Sequence, residues 1–379
     1  VNDSASDRVR VLWLIKGLGP GGAEQLLVNH AEVRDADRFD ITAAYLVPWK
    51  RHLVPRLEAA GVPTVCLDDS REWDIRWALR LRRRLMTQPV DVVHVHSPYV
   101  AGVVRLLLRT LPRTRRPALV YTEHNRWPRH NKSTRVLNRL TFPLDDVDIS
   151  VSADVRSTMP AKLQPRVEVL EHGVVVDEVR AMRRHRDEVR AELGIEPHEV
   201  VIGTVANFRR EKAYEVLLEA ARLALQSGRP LRFVAVGQGP LEDEMRARHA
   251  ELGLGDRVQL LGYREDAVRV MSGFDVFTLS SRHEGLPVSL MDALALGLPV
   301  VATRAGGLPD AITDGVEGRL VAIDDPRALA DAYIEVAGDD AARATMADAA
   351  AARATDFDIS AAARRLEEIY WSAAANRSR

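Results

Sequence analysis

The sequence predicts two α/β domains in tandem, and three observations carry that expectation. At 379 residues the chain exceeds one ordinary hydrophobic core. Short β-branched runs alternate with helical patterns from end to end, as they do in βαβ units with parallel sheets. The runs also fall into two series, each with its own Gly-rich turn. The expected architecture is two facing Rossmann-like domains with parallel sheets and a ligand cleft between them.

The first series of predicted strands covers residues 9–16, 41–47, 64–67, 92–96, 119–123, 149–152 and 167–170. A second begins afresh at 200–206 and continues through 232–237, 259–261, 276–280, 300–303 and 318–321. Between them the charged stretch 177–193 reads as a helix, stopped by Gly194 and Pro197, which puts the domain junction near Gly173. The expected domains are therefore 1–174 and 175–355. The Ala-rich segment 339–354 is helical by propensity, and 357–370 has the apolar spacing of an amphipathic helix. Segment 356–379 is expected to pack back on the first domain.

Composition excludes several classes. Nearly half the residues are apolar, as in a globular protein. The single cysteine, Cys66, builds neither a disulfide framework nor a thiolate metal cluster, and its apolar surroundings predict a buried core thiol. The sequence shows no apolar leader and no run long enough to span a bilayer, so a cytoplasmic protein is expected. The net charge of −1 hides an asymmetry: residues 71–139 carry 16 Arg or Lys against four acids, Glu72, Asp74, Asp91 and Glu123.

The most informative block is RHEGLPVSLMDALALGLPVVATRAGGLPD, residues 282–310. It places Glu284 in a loop, Asp292 eight positions later at a helix start, and a turn at Gly306 and Gly307. A loop acid beside free N–H groups at a helix N-terminus can hold a polyol and an anion side by side. A nucleotide sugar presents that pair of groups.

Two further turns bear on anions. Gly17, Gly19 and Gly22 match G-x-G-x-x-G directly after the first strand, but the second strand ends Leu46-Val47-Pro48-Trp49 with no acid for a ribose, which argues against a nicotinamide enzyme. Glycines that let a diphosphate approach and a ligand-free tight turn both remain open. In the second series Asn207, Arg209, Arg210 and Lys212 follow a strand and precede a helix, where cations can neutralise a leaving phosphate. Arg210 is read as solvated surface, and Lys212 and Arg209 as the site cations.

Three histidines lie at the ends of adjacent strands, the rim where ligands bind in parallel sheets. His94 is expected in the core, His96 stays open between core and site, and His124 is read as a site residue. His94 and His96 are expected on opposite sheet faces, which disfavours a shared metal ion. The D-x-D pairs Asp35/Asp37, Asp146/Asp148 and Asp356/Asp358 lack a sheet-edge context and are read as chance, so no metal site is expected.

Taken together, the block from Glu284 to Asp292, the following G-x-P-V-V-A-T and the Gly306-Gly307-Leu308-Pro309-Asp310 turn resemble the retaining glycosyltransferases of family 4, which have the GT-B fold. The resemblance covers nearly the whole chain. It implies an acceptor-binding first domain and a nucleotide-sugar-binding second domain that close on each other. Glu284 is then expected on the donor sugar's hydroxyls, and the N–H groups of Gly285, Leu286, Pro287 and Val288 along sugar and diphosphate. Asp292 is expected on the ribose, and Lys212 with Arg209 on the diphosphate near Asn207. Gly21 and Gly22 would close the phosphate site, His124 would sit beside the reacting sugar, and His96 and Gly19 would lie on the acceptor side.

The sequence departs from the family pattern at Asp292, usually Glu, at Asn207, commonly Arg, and at His172-Gly173, usually Asn-Gly. No carboxylate is matched opposite Glu284 as a nucleophile, and the resemblance implies front-face substitution, with the departing phosphate taking the acceptor's proton. No cofactor is expected beyond the nucleotide diphosphate sugar, with uridine diphosphate the first choice of base.

The acceptor is expected to be a glycan, a lipid-linked sugar or a small molecule. The basic segment from Glu72 to Met86 carries Trp73, Trp77, Leu81 and Leu85 along one helical face. Two readings follow: a peripheral contact with an anionic inner membrane face, or an ordinary helix packed on its own sheet, which the pattern favours. Nucleic acid is not expected, since no recognised binding module is present. Rival functions are a sugar-nucleotide 2-epimerase of the same architecture, disfavoured by the lack of extra acids for proton removal, and a non-catalytic sugar-nucleotide binding protein.

Overall fold

The computed structural model describes residues 8–67 and 76–377. The chain divides into two compact units: the first runs to Gly173 and takes back the chain from Ile359 onward, and the second is Val174–Asp358.

The first unit is built on a seven-stranded parallel sheet: β1 (Val9–Ile15), β2 (Phe39–Tyr45), β3 (Thr64–Cys66), β4 (Val92–Val95), β5 (Ala118–Glu123), β6 (Val147–Ser150) and β7 (Val167–Val169). Their order is β3-β2-β1-β4-β5-β6-β7. The second unit has six parallel strands: β8 (Val200–Val205), β9 (Leu231–Val236), β10 (Val258–Gly262), β11 (Val276–Leu279), β12 (Val300–Thr303) and β13 (Gly318–Val321). These run β10-β9-β8-β11-β12-β13. In each sheet the strand order reverses once, between β1 and β4 and between β8 and β11, and the C-terminal ends of those strands are where parallel α/β sheets hold ligands. Several strands end one or two residues earlier than the sequence predicts, because their last residues leave the ladder to form the loops that carry the candidate site.

The predicted helix over 177–193 is broken. Helices Val176–Ala181 and Arg186–Glu192 are separated by a tighter turn at Met182–His185. Arg186 and Arg190 both pair with Asp275, Arg190 at 3.0 Å, just before β11. The Ala-rich segment forms helix Asp340–Arg353.

Helix Ile359–Arg377 belongs to the first unit, where Leu366, Ile369 and Tyr370 are buried with Trp13, Phe39 and Ile41 of β1 and β2. Each such apolar side chain contributes about 1.5–3 kcal/mol by leaving water. On the opposite face of this sheet lie helices Arg76–Thr87 and Pro98–Arg109. Trp77, Leu81 and Leu85 are buried there among Leu12, Leu14 and Val93, so this part of the aromatic stripe faces the protein's own sheet and is not offered to a bilayer. Glu72 and Trp73 lie outside the described residues. Cys66, expected in the core, is half-buried at the end of the edge strand β3.

Candidate functional site

In the second unit two loops meet at the switch between β8 and β11. The first leaves β8 through Asn207 and Arg209 into a single tight turn, Arg210–Lys212. Ala213 follows in the left-handed region, φ 47°, and starts helix Tyr214–Leu225. A left-handed alanine is costly, and the neighbouring strand holds it: Ser280 Oγ, just past β11, donates to the carbonyls of Lys212 at 2.8 Å and Ala213 at 3.1 Å.

The second loop carries Glu284. Lys212 Nζ lies 2.7 and 2.8 Å from the two oxygens of its carboxylate, and the Ser281 hydroxyl donates to Glu284 Oε1. Glu284 is buried, with 6% of its side chain exposed, while Lys212 keeps 20%. A buried carboxylate held by a charge partner and a hydroxyl donor is fixed in place.

The glycine turn explains why this loop takes no other path. Gly306 has φ +56°, and a Cβ there would stand 1.8 Å from the Glu284 carbonyl oxygen; one on Gly307 would stand 2.7 Å from that of Gly285. The turn therefore presses directly on the main chain of the acid loop. Helix Val288–Ala295 begins four residues after Glu284, and the N–H groups of Gly285, Leu286 and Val288 have no partner among the described residues. Pro287, expected to offer an N–H along with them, has none to give; it is the N-cap residue, with φ −70° and an extended ψ of 134°. Asp292 is buried within the same helix.

Of the expected cations, only Lys212 is paired with Glu284. Arg209 is exposed and makes no ion pair among the described residues, its carbonyl accepting from the Lys212 N–H at 2.9 Å. Asn207 is half-buried and its carbonyl accepts from the Arg209 N–H at 2.8 Å. Arg210 is exposed.

In the first unit the corresponding switch carries glycines and imidazoles. The loop after β1 is pinned by Leu18 N–H to the Lys50 carbonyl at 2.7 Å, and a Cβ on Gly17 would stand 2.8 Å from Lys50 Cβ. Gly19 precedes Gly21, which caps helix Gly22–Val33, and a Cβ on Gly22 would meet open space. At the ends of β4 and β5, His96 Nδ1 lies 3.1 Å from His124 Nε2.

His94 has both nitrogens bonded in the core, Nδ1 to the Tyr370 hydroxyl at 2.6 Å and Nε2 to Thr122 Oγ1 at 2.7 Å. The expectation that His94 and His96 face opposite ways is wrong. Residues two apart on a strand share a face, and the two rings lie 4.0 Å apart.

Sequence reasoning missed two members of this group. His172 Nδ1 is 3.0 Å from His30 Nε2, and its ring lies parallel to His124 at 6.1 Å. The signal was the histidine standing for asparagine before Gly173, whose partner 142 residues away no local pattern reveals. Burial pushes His172 down to about 4 and, with the facing His172 adding to it, His124 down to about 3. His30, His94 and His96 are held well below the ordinary imidazole range for the same reason. No group of three or more His, Cys, Asp or Glu residues is placed to hold a metal ion among the described residues. Asp148 of the D-x-D pairs is buried against Arg166, and Asp358 bridges Val174.

Comparison with known proteins gives the family. Residues 185–353 match the family described as Glycosyl transferases group 1, and residues 20–178 match Glycosyltransferase Family 4. A D-inositol 3-phosphate glycosyltransferase of Corynebacterium urealyticum is 30% identical over 310 residues, 74% of this chain and 71% of the relative. The chain belongs to glycosyltransferase family 4. The corresponding enzyme of Corynebacterium diphtheriae is 37% identical over 201 residues, about half of each chain at 51% and 47%. Among solved structures, Anabaena Alr3699/HepE in complex with UDP and glucose superposes with a TM-score of 0.81 at 21% identity, covering 96% of this chain and 100% of that one. The fold is GT-B and the protein is a sugar-transferring enzyme.

Proposed function

We propose that this transferase moves a sugar from a uridine diphosphate sugar to a hydroxyl acceptor with retention of configuration and without a metal ion, in the cytoplasm. The observation that carries the reading is the Lys212–Glu284 pair, its carboxylate buried, beside three N–H groups at a helix start that have no partner among the described residues. The carboxylate accepts hydrogen bonds from sugar hydroxyls, while Lys212, Arg209 and the N–H groups of Gly285, Leu286 and Val288 stabilise the charge that develops on the departing diphosphate. Asp292 takes the ribose, near Asn207. On the first unit, Gly21 and Gly22 serve the phosphates, His124 the reacting sugar and Gly19 the acceptor side, which buried His96 reaches only through His124, 3.1 Å away.

Two printed descriptions support the choice of donor: Alr3699/HepE is seen with UDP-glucose, and an Escherichia coli relative, 22% identical, is a UDP-Gal:alpha-D-GlcNAc-diphosphoundecaprenol alpha-1,3-galactosyltransferase. A thermal-shift series with uridine, guanosine and adenosine diphosphate sugars tests the donor. Ligand at a hundredfold over Kd stabilises the fold by about 2.7 kcal/mol. Stabilisation by the uridine member that is absent in Glu284→Ala is expected, and a flat response to all three would overturn the proposal. Hydrolysis or epimerisation of donor alone, at the rate seen with acceptor, would point to the epimerase reading instead.

We further propose that the acceptor is carried on an anionic membrane surface. Helices Arg76–Thr87, Pro98–Arg109 and Lys132–Thr141 contain no acidic residue, and Leu79, Leu106, Val136 and Leu140 are exposed on them beside Arg82, Arg83, Arg109 and Arg139. Basic groups around exposed leucines complement anionic headgroups and the upper acyl chains. Co-sedimentation with phosphatidylglycerol vesicles at low salt, reduced in the variant carrying Leu79→Asp and Leu140→Asp, is expected. Protein left in the supernatant removes the membrane from the account.

A further inference from the structure

Four buried histidines of the first unit, His30, His94, His96 and His172, and the half-buried His124 raise a question that their positions alone leave open: which nitrogen of each ring holds the proton. A neutral imidazole has one N–H and one lone pair, and the hydrogen bond at one nitrogen decides what the other can do. His124 meets the protein through Nε2, at 3.1 Å from His96 Nδ1, and its Nδ1 has no partner among the described residues and is not sealed from solvent.

Two arrangements satisfy that contact. In one, His124 donates from Nε2, His96 accepts at Nδ1, and the His96 proton sits on its Nε2. That atom is buried and has no partner among the described residues, so an N–H would be stranded there. In the other, His96 donates from Nδ1, and only a lone pair is left at its buried Nε2. Stranded N–H groups are rarer in protein interiors than under-used acceptors. The second arrangement is therefore favoured, and it leaves His124 with its proton on the free nitrogen, Nδ1.

The neighbours allow no escape through a doubly protonated ring. Burial holds His96 well below the ordinary imidazole range and His124 at about 3, so both are neutral near pH 7. Nor is His96 free to turn, since its ring lies 4.0 Å from that of His94. His94 in turn is locked: the Tyr370 hydroxyl accepts from Trp13 Nε1 at 2.8 Å, and donation of its own proton to His94 Nδ1 sends the His94 proton to Thr122 Oγ1.

We propose that His96 is a positioning residue that fixes His124 as the Nδ1–H tautomer, so that the ring presents a hydrogen-bond donor, and not an acceptor, to the bound sugar. The substrate group it selects is an oxygen with a free lone pair, such as a sugar hydroxyl accepting a bond, in place of a hydroxyl that must give its proton away. The role in transfer rests on the placing of His124 beside the reacting sugar proposed above; the tautomer itself does not.

Long-range proton–nitrogen correlation spectra of protein labelled with 15N-histidine read the tautomer directly, with His124→Gln assigning the ring. A protonated Nδ1 and a bare Nε2 on His124 are expected in the wild type at pH 7, and the reverse pattern overturns the proposal. In His96→Leu the donor to Nε2 is gone, and His124 is expected to lose its single tautomer, with kcat falling by roughly a hundredfold, the scale of a misplaced site group, and donor KM little changed. His96→Asn keeps an N–H close to the position of Nδ1 and is expected to restore both the spectrum and most of the rate; a variant that restores neither also counts against the proposal. If His96→Leu does not fold, the wild-type spectrum alone decides. A confirmed tautomer together with full activity in His124→Gln would instead remove His124 from the transfer and leave the hydrogen-bond assignment standing.

Discussion

The two strand-order switches of this chain occupy equivalent places in similar sheets yet are furnished in opposite ways. At β8 and β11 the groups are charged or dipolar: an ion pair on a buried carboxylate, an exposed arginine and main-chain N–H groups with no partner among the described residues. At β1, β4 and β5 they are glycines, with Lys50 beside Gly17 and Glu24 beside Gly21, and imidazoles whose protonation burial has suppressed. A diphosphate that gains charge as its bond to the sugar breaks needs fixed positive potential. An uncharged acceptor hydroxyl needs hydrogen bonds without a competing cation. Under the proposed function, the second switch serves the departing diphosphate and the first offers its imidazoles to the sugar and the acceptor.

The sharpest way to break this contrast is to remove charge from the second unit. Glu284→Gln leaves Lys212 without its counter-ion and weakens the grip on sugar hydroxyls, and kcat/KM is expected to fall by about a thousandfold, as for loss of one preorganised polar group. Steady-state kinetics with saturating acceptor reads it, and a loss under tenfold would show that the pair is structural.

Gly306→Ala comes next, because its Cβ would collide with the Glu284 carbonyl at a left-handed φ. A loss of about 1–3 kcal/mol in urea unfolding is expected, together with weaker donor binding, since the collision displaces the acid loop itself. In the first unit Tyr370→Phe removes the acceptor for Trp13 and the partner of His94 Nδ1. It should cost about 1–3 kcal/mol without a specific effect on donor affinity.

The smallest effect at neutral pH is expected for His172→Asn. Its folded pKa of about 4 lies below the unfolded value near 6.5, so between those values the unfolded chain binds more protons and stability falls as pH is lowered. Above the unfolded pKa the contribution is fully present. Urea midpoints measured from pH 7 to pH 4 should therefore decline less steeply in His172→Asn than in the wild type, by close to one proton. Parallel curves would place His172 outside the titrating group.

The fold was legible because each strand is a compact β-branched run, and burial on both sheet faces leaves little else for such a run to be. The acid loop was legible too, since Glu284, Gly306 and Gly307 lie within 24 residues and their chemistry is local. What could not be read was long-range. The His30–His172 contact, the lock of Tyr370 on His94 and the convergence of Arg186 and Arg190 on Asp275 each join residues far apart in sequence. Trp77 shows the limit from the other side: an aromatic in a basic helix has the same spacing whether it faces lipid or core, and only packing on Leu12 and Val93 distinguishes them.

The return of helix Ile359–Arg377 to the first unit has a consequence for synthesis. Chain segments enter and leave the second unit side by side, where Val174 N–H bonds the Phe357 carbonyl at 3.0 Å. A ribosome that has added residue 358 has therefore synthesised everything the second unit contains, while the sheet made first still waits for the helix that covers Trp13 and His94. The half of the protein that is translated earliest is the half that matures last, and its uncovered sheet face is the surface a nascent-chain chaperone would have to shield.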